Sequence, residues 1–64
     1  MFYTEIITDT QALWKFDTYA GAMEKYHHEL EYAYNQGLPI IAIVQDSNGA
    51  QMHYEKYDPA PTEE

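Results

Sequence analysis

The stretch TYAGAMEKYHHELEYAYNQGLPIIAIV, residues 18–44, sets the architecture, because it joins an amphipathic helix to the most apolar segment of the chain. Apolar side chains recur in its first part at intervals of three and four residues, which is the pattern of a helix with one buried stripe. This pattern predicts a helix over residues 19–36. The predicted stripe consists of Tyr19, Ala22, Met23, Tyr26, Leu30 and Ala33, with Tyr34 at its margin.

The two ends of this helix carry residues with specific backbone roles. Asp17 or Thr18 can cap the N-terminus, because either side chain accepts a hydrogen bond from an early backbone N–H. Gly37 follows the last helical residue, where a positive φ is often needed, and Pro39 prevents the helix from continuing.

Two strands are predicted after the helix. IIAIV, residues 40–44, is a continuous apolar run, which suits a central strand that is covered on both faces. DSNG, residues 46–49, is the strongest turn signal in the chain, because Asn and Gly tolerate positive φ. AQMHYEKY, residues 50–57, alternates between two faces and predicts the last strand.

Two further strands are predicted before the helix. FYTEIIT, residues 2–8, is rich in β-branched and aromatic residues, and ALWKF, residues 12–16, alternates around a lysine. TDTQ, residues 8–11, supplies a turn between them. The order ββαββ predicts an α+β fold, in which two hairpins form one four-stranded antiparallel sheet and the helix packs on one face.

This fold leaves one sheet face without cover, since a single helix cannot cover four strands on both sides. Residues 1–57 are predicted to form the domain, and residues 58–64 an acidic, proline-containing disordered tail. A chain of 64 residues has a marginal core, and 16% of its residues are aromatic, so we expect a homodimer that buries the second face. The register is open, so that face carries Tyr3 or Phe2, Trp14 or Leu13, and His53 or Met52.

The charge balance limits the partners. The chain has 3 lysines, no arginine and 11 acidic residues, and its formal net charge is −8. Direct binding to nucleic acids and to anionic membranes is therefore not expected, because both require cationic side chains. No apolar run approaches the roughly 20 residues of a membrane span, and the N-terminus lacks the pattern of a signal peptide. The acidic body favours a protein partner with a basic surface.

The histidines do not form a recognisable catalytic or metal motif. His28-Glu29 begins like the zinc-protease pattern H-E-x-x-H, but Tyr32 stands where the second histidine is required. His27 and Glu31 share a helix face and could form a looser metal site, whereas weak pairing on a solvated surface is the more common outcome. Without cysteine, disulfides and thiolate sites are excluded. We expect no metal, no cofactor and no enzymatic activity.

The string A-x-E-K-Y-H-x-x-L, at Ala22, residues 24–27 and Leu30, resembles a group of small proteins encoded by phages and prophages of Gram-positive, often gut-dwelling, bacteria. The resemblance covers about residues 3–57 and includes the Glu-Ile strand, the apolar strand, the acidic-Gly turn and the aromatic-ended last strand. This chain departs from the group in its shorter first turn and its longer acidic tail. The resemblance implies a mobile-element origin and a location in the cytoplasm of the bacterial host.

The composition and the resemblance together favour a binding function. Small acidic phage proteins are often inhibitors of host defence, including anti-CRISPR proteins, so we expect a non-catalytic accessory protein that binds a host protein. Its carboxylates would engage lysines and arginines that normally hold phosphates. The candidate acidic surface consists of Glu24, Glu29, Glu31, Asp46 and Glu55. The candidate aromatic interface consists of Trp14, Tyr32, Tyr34 and Tyr54.

Two alternatives stay open at this point. In the first, an oligomer sequesters a nucleotide signal between subunits, with Trp14 and Tyr54 stacking on a base. Three lysines and no arginine leave phosphate capture to backbone amides, which weighs against this alternative. In the second, the protein is a structural or regulatory phage dimer that performs little chemistry.

Overall fold

The computed structural model describes residues 1–59 as four strands and one helix. All neighbouring strands are antiparallel, and their order in the sheet is β2-β1-β3-β4. The predicted α+β fold with the order ββαββ is confirmed. The elements are β1 (Phe2–Ile7), β2 (Gln11–Phe16), α1 (Tyr19–Gln36), β3 (Ile40–Asp46) and β4 (Gln51–Tyr57). Of the predicted tail, residues 60–64 lie outside the described part of the chain.

Both ends of α1 follow from local side-chain and backbone chemistry. Thr18, rather than Asp17, is the N-cap, and its Oγ1 accepts a hydrogen bond of 3.1 Å from the backbone N–H of Gly21. At the other end, Gly37 adopts a φ of 68°. The N–H of Leu38 donates to the carbonyl of Ala33 over 3.0 Å, which is the long hydrogen bond of a Schellman motif. The predicted bounds of the helix are confirmed.

The core lies between α1 and one face of the sheet. It consists of Ala22, Tyr26, Leu30 and Ala33 from the helix, and Ile6, Ile40, Ala42 and Val44 from the two central strands. The prediction that Tyr19 belongs to the buried stripe was wrong, because its side chain is exposed, whereas Tyr34 is exposed at the margin of the stripe, where the sequence places it. Their rings pack at the rim of the core, Tyr19 against Phe2 and Tyr34 against Tyr57. The rim supplies polar partners for their phenol hydroxyls, His53 for Tyr19 and Glu55 for Tyr34.

The helix and the sheet approach most closely at Ala22. The buried hydroxyl of Thr4 donates to the carbonyl of Ala22 over 2.8 Å, so that strand β1 is bonded directly to the helix backbone. Gly21 allows a similar approach at the end of β2, since a Cβ there would lie 3.3 Å from Cδ1 of Phe16. Small residues in the first helical turns therefore set the distance between the two layers.

The sheet face away from α1 is called here the open face. The pairing and the alternation of the strands place Tyr3 and Leu13 on this face, whereas Phe2, Trp14 and His53 lie on the helix side. A β-bulge shifts the register between Val44 and Gln45 and leaves Met52 at the margin of the open face. The open face consists of Tyr3, Glu5, Ile7, Gln11, Leu13, Lys15, Ile41, Ile43, Gln45, Tyr54 and Lys56.

Candidate functional site

A groove of about 500 Å³ lies on the helix side of the sheet, between the C-terminal half of α1 and strand β2. It is called here the β2 groove. Its floor is formed by Ile6, Ala12, Ala33 and Ile40. Two of these four side chains are single methyl groups, one on the strand and one on the helix, so the two elements do not fill the space between them. The groove is therefore apolar and open to solvent.

The rim of the β2 groove combines aromatic, aliphatic and acidic side chains. Trp14 stands on the strand side, Tyr32 and Glu29 on the helix side, Asp9 in the turn between β1 and β2, and Leu38 after the helix. Trp14, Tyr32 and Leu38 are all exposed large apolar residues. Aromatic residues around an apolar floor are typical of protein-binding surfaces.

Two rim residues of the β2 groove, Trp14 and Glu29, contact a cation that lies beside the groove. The ammonium group of Lys25 lies 4.1 Å from the centre of the Trp14 ring and 2.8 Å from Oε2 of Glu29. All three side chains meet because Lys25 and Glu29 are one helical turn apart and Trp14 faces them from β2. The arrangement shows that a ring face and a carboxylate together fit an ammonium ion, through cation–π attraction and an ion pair.

The predicted acidic residues do not form one surface. Glu29 belongs to the β2 groove, and Glu24 is exposed near the N-terminal end of the helix, beside Lys25. Oδ1 of Asp46 accepts hydrogen bonds from the backbone N–H groups of Asn48 (2.9 Å) and Ala50 (3.0 Å), so its carboxylate holds the turn between β3 and β4. The remaining two are Glu31 on α1 and Glu55 on β4. They lie on the side of the helix opposite the β2 groove.

The opposite side of α1 forms a second cleft, against strand β4. It is lined by Glu31, Tyr34 and Glu55, and the ring of Tyr26 reaches it from the core. The hydroxyl of Tyr34 donates to Oε2 of Glu55 over 3.0 Å. Burial is the main cause that raises the pKa of Tyr26 above its ordinary 10.0, and the charge of Glu55 adds to it. The pKa of Tyr34 is raised by desolvation and then by its hydrogen bond to Glu55.

These raised pKa values predict a loss of stability at alkaline pH. A tyrosine whose pKa is higher in the folded state keeps its proton to a higher pH there than in the unfolded chain. Its contribution to folding stability is therefore fully present below pH 10 and is lost as the pH rises through the folded pKa. We expect the free energy of unfolding, measured with urea from about pH 8 to pH 11.5, to fall as the pH rises above 10. Glu55→Gln should make this fall shallower, because it removes a charge that raises both pKa values. An unchanged slope in Glu55→Gln would contradict the assignment.

Comparison with known proteins finds no family model, curated protein or solved structure that matches the chain. The resemblance to small phage proteins therefore stays a prediction. Among the described residues, 1–59, no helix is both long and apolar enough to cross a membrane.

The histidines and the remaining aromatic residues do not meet at one site. His53 lies on the helix side of β4, where its ring contacts Tyr19 and Tyr26. Within the described part of the chain, no group of three histidine or carboxylate side chains is arranged to hold a metal ion. Trp14 lies on the helix side of the sheet and Tyr54 on the open face, so one chain does not hold a base between these two rings.

The β2 groove contains residues that were not among the sequence candidates. Asp9, Leu38 and Lys25 lie in or beside it, whereas of the candidates only Trp14, Tyr32 and Glu29 do. Asp9 and Leu38 belong to a turn and a loop, where no periodicity marks a face. The spacing of Lys25 and Glu29 was visible in the sequence, but its position opposite Trp14 depends on how the helix crosses the sheet.

Proposed function

We propose that this protein acts without catalysis, by binding another protein that presents basic residues beside an apolar side chain. The observation that carries the proposal is the β2 groove, which combines an apolar floor with the rings of Trp14 and Tyr32 and the carboxylates of Asp9 and Glu29. An apolar anchor of the partner would fill the floor, and its lysines or arginines would meet the acidic rim.

The ammonium group that Trp14 and Glu29 already contact beside the groove supports this choice of partner. Lys25 lies between the ring of Trp14 and the carboxylate of Glu29. A lysine or arginine of the partner would find the same two groups, in competition with Lys25. The net charge of −8 adds long-range attraction for a basic surface, which raises the rate of encounter at low salt.

The resemblance to phage proteins supports a more specific proposal about the origin and the partner of this protein. We infer that the protein is a phage or prophage accessory protein whose partner is a host defence protein with a basic, phosphate-binding surface, in the manner of an anti-CRISPR protein. Expression of the protein in bacteria that carry one defined defence system, followed by plaque counts, tests this form. Plaque numbers that stay unchanged across such systems would count against the host-defence partner. They would leave the proposal that the β2 groove binds a basic protein untouched.

The groove can be tested directly by tryptophan fluorescence, since Trp14 is the only tryptophan of the chain. The probe is a short synthetic peptide in which one leucine is flanked by two arginines, and the control peptide carries two glutamates instead. We expect the arginine peptide to change the emission of Trp14 and to bind several-fold more weakly when salt rises from about 0.02 M to 0.2 M. The glutamate peptide should not bind.

A matched pair of variants locates the binding site. The double variant Asp9→Asn with Glu29→Gln neutralises the rim of the groove, and we expect it to weaken peptide binding about tenfold. The double variant Glu24→Gln with Glu31→Gln removes the same charge elsewhere on the helix, and it should weaken binding about twofold at most. Equal losses in both variants would show that net charge, rather than the groove, attracts the peptide, and would reject the proposal.

A further inference from the structure

The open face is apolar along strand β3, whereas its central strand β1 carries Glu5 opposite Ile43. Strand β3 carries Ile40, Ala42 and Val44 on the helix side and Ile41 and Ile43 on the open face, so it is apolar on both sides. An antiparallel sheet with one face in water normally has polar residues on that face. Ile43 is only 7% exposed, because the side chains of neighbouring strands surround it. The pattern on β3 is that of a strand covered from both sides.

The charges of the open face differ from those of the whole molecule. Two of the 3 lysines, Lys15 and Lys56, lie on edge strands at opposite corners of this face, and Glu5 is its one carboxylate. The protein as a whole has a net charge of −8, so the excess negative charge lies on other surfaces. Two copies that approach through their open faces each bring two lysines and one carboxylate, and the carboxylate of Glu5 already accepts a hydrogen bond from the side chain of Gln11 on the same face. A strongly basic partner would find a single carboxylate there.

The size of the open face fits a small dimer interface. Four strands about 4.8 Å apart and six residues long, at about 3.3 Å per residue, span roughly 400 Å² of flat area. The accessible area is larger, because side chains corrugate the surface. Two copies would bury in total on the order of 1,000 Å², which is the lower limit for a specific interface. We therefore expect a dimer with a dissociation constant in the micromolar range.

We propose that a second copy of this chain covers the open face, in a two-fold symmetric dimer of two sheets packed face to face. A two-fold axis makes the same patch serve both subunits, and sheets pack in this way at a distance of about 10 Å. The two helices then lie on the outside of the dimer. Each β2 groove stays accessible, so the dimer is independent of the proposed function and presents two grooves.

Light scattering and sedimentation over a range of protein concentrations test the dimer. The open-face variant is Leu13→Glu with Tyr54→Glu, since these two side chains are 58% and 54% exposed and their replacement spares the core. The matched control is Leu38→Glu with Tyr32→Glu, with exposures of 45% and 56% on the helix side of the sheet. Both variants add the same charge.

We expect the wild-type chain and the control variant to have twice the mass of 7.5 kDa at high concentration. The open-face variant should dimerise at least about a hundredfold more weakly, because charges of like sign face each other across an apolar interface. Circular dichroism confirms that each variant is folded. A wild-type chain that stays monomeric up to millimolar concentration would overturn the proposal. So would an open-face variant that dimerises as well as the control. Peptide binding to the β2 groove should persist in the monomeric variant, which separates this test from that of the function.

Discussion

Replacing Leu30 with alanine is expected to lower the free energy of unfolding by about 3 kcal/mol, since buried Leu→Ala changes cost about 2–5 kcal/mol. Leu30 is 6% exposed and lies in the middle of the helix stripe that faces the sheet. A chain of 64 residues has a total stability of roughly 3–10 kcal/mol, at about 0.05–0.15 kcal/mol per residue. The change therefore removes a large share of the stability and leaves a part of the molecules unfolded at 37 °C.

Urea titration of both proteins at one protein concentration measures this loss, because dimerisation would make the apparent stability depend on concentration. Leu38→Ala is the control, since Leu38 is exposed on the rim of the β2 groove. We expect it to lose less than about 1 kcal/mol. Comparable losses at the two positions would show that the core is not where the structure places it.

The second large effect is expected from Ala22→Leu, which enlarges a side chain that is fully buried where the helix and the sheet are closest. Overpacking of this kind costs about 1–3 kcal/mol and occasionally more. We expect about 3 kcal/mol, because the added atoms also push the Ala22 carbonyl away from the hydroxyl of Thr4. Thr4 is the one buried polar residue in the described part of the chain, and it would lose its partner.

Ala20→Leu is the matched control, because Ala20 is exposed on the same helix two residues away. It should change the free energy of unfolding by less than about 0.5 kcal/mol. Thermal unfolding, followed by circular dichroism, compares the two variants. If Ala22→Leu unfolds at the same temperature as the wild type, the helix does not rest on β1 as described.

The order of the elements and the bounds of the helix could be predicted, because they depend on local signals. Thr18 as a cap, Gly37 past the end and the apolar run of β3 act over a few residues each. The side of each strand that faces the helix could not be predicted, because Phe2 and Tyr3, or Trp14 and Leu13, are equally suited to a buried face. The contacts between the helix and the sheet determine which residue of each pair is buried.

The candidate site was predicted only in part for the same reason. Trp14, Tyr32 and Glu29 meet in one groove because Ala12 and Ala33 leave space between distant segments, which no sequence pattern signals. The sequence predicts Asp46 as a partner-binding residue, and the structure adds that its Oδ1 accepts two backbone hydrogen bonds within the turn. The residue type alone does not show whether the carboxylate of an acidic residue bonds within its turn. The hydrogen bonds of Asp46 show that it does.

The pairing of β1 with β3 has a consequence for how the chain folds as it is made. These central strands are neighbours in the sheet but far apart in the sequence, since Phe2 pairs with Asp46. During translation, β1, β2 and the helix leave the ribosome before β3, so β1 lacks its second neighbour in the sheet until β3 follows. Sheets that depend on such distant contacts fold more slowly than helical proteins of the same length. We therefore expect the domain to complete its folding only after β3 and β4 have left the ribosome, and its apolar strands to be exposed to aggregation or to chaperones until then.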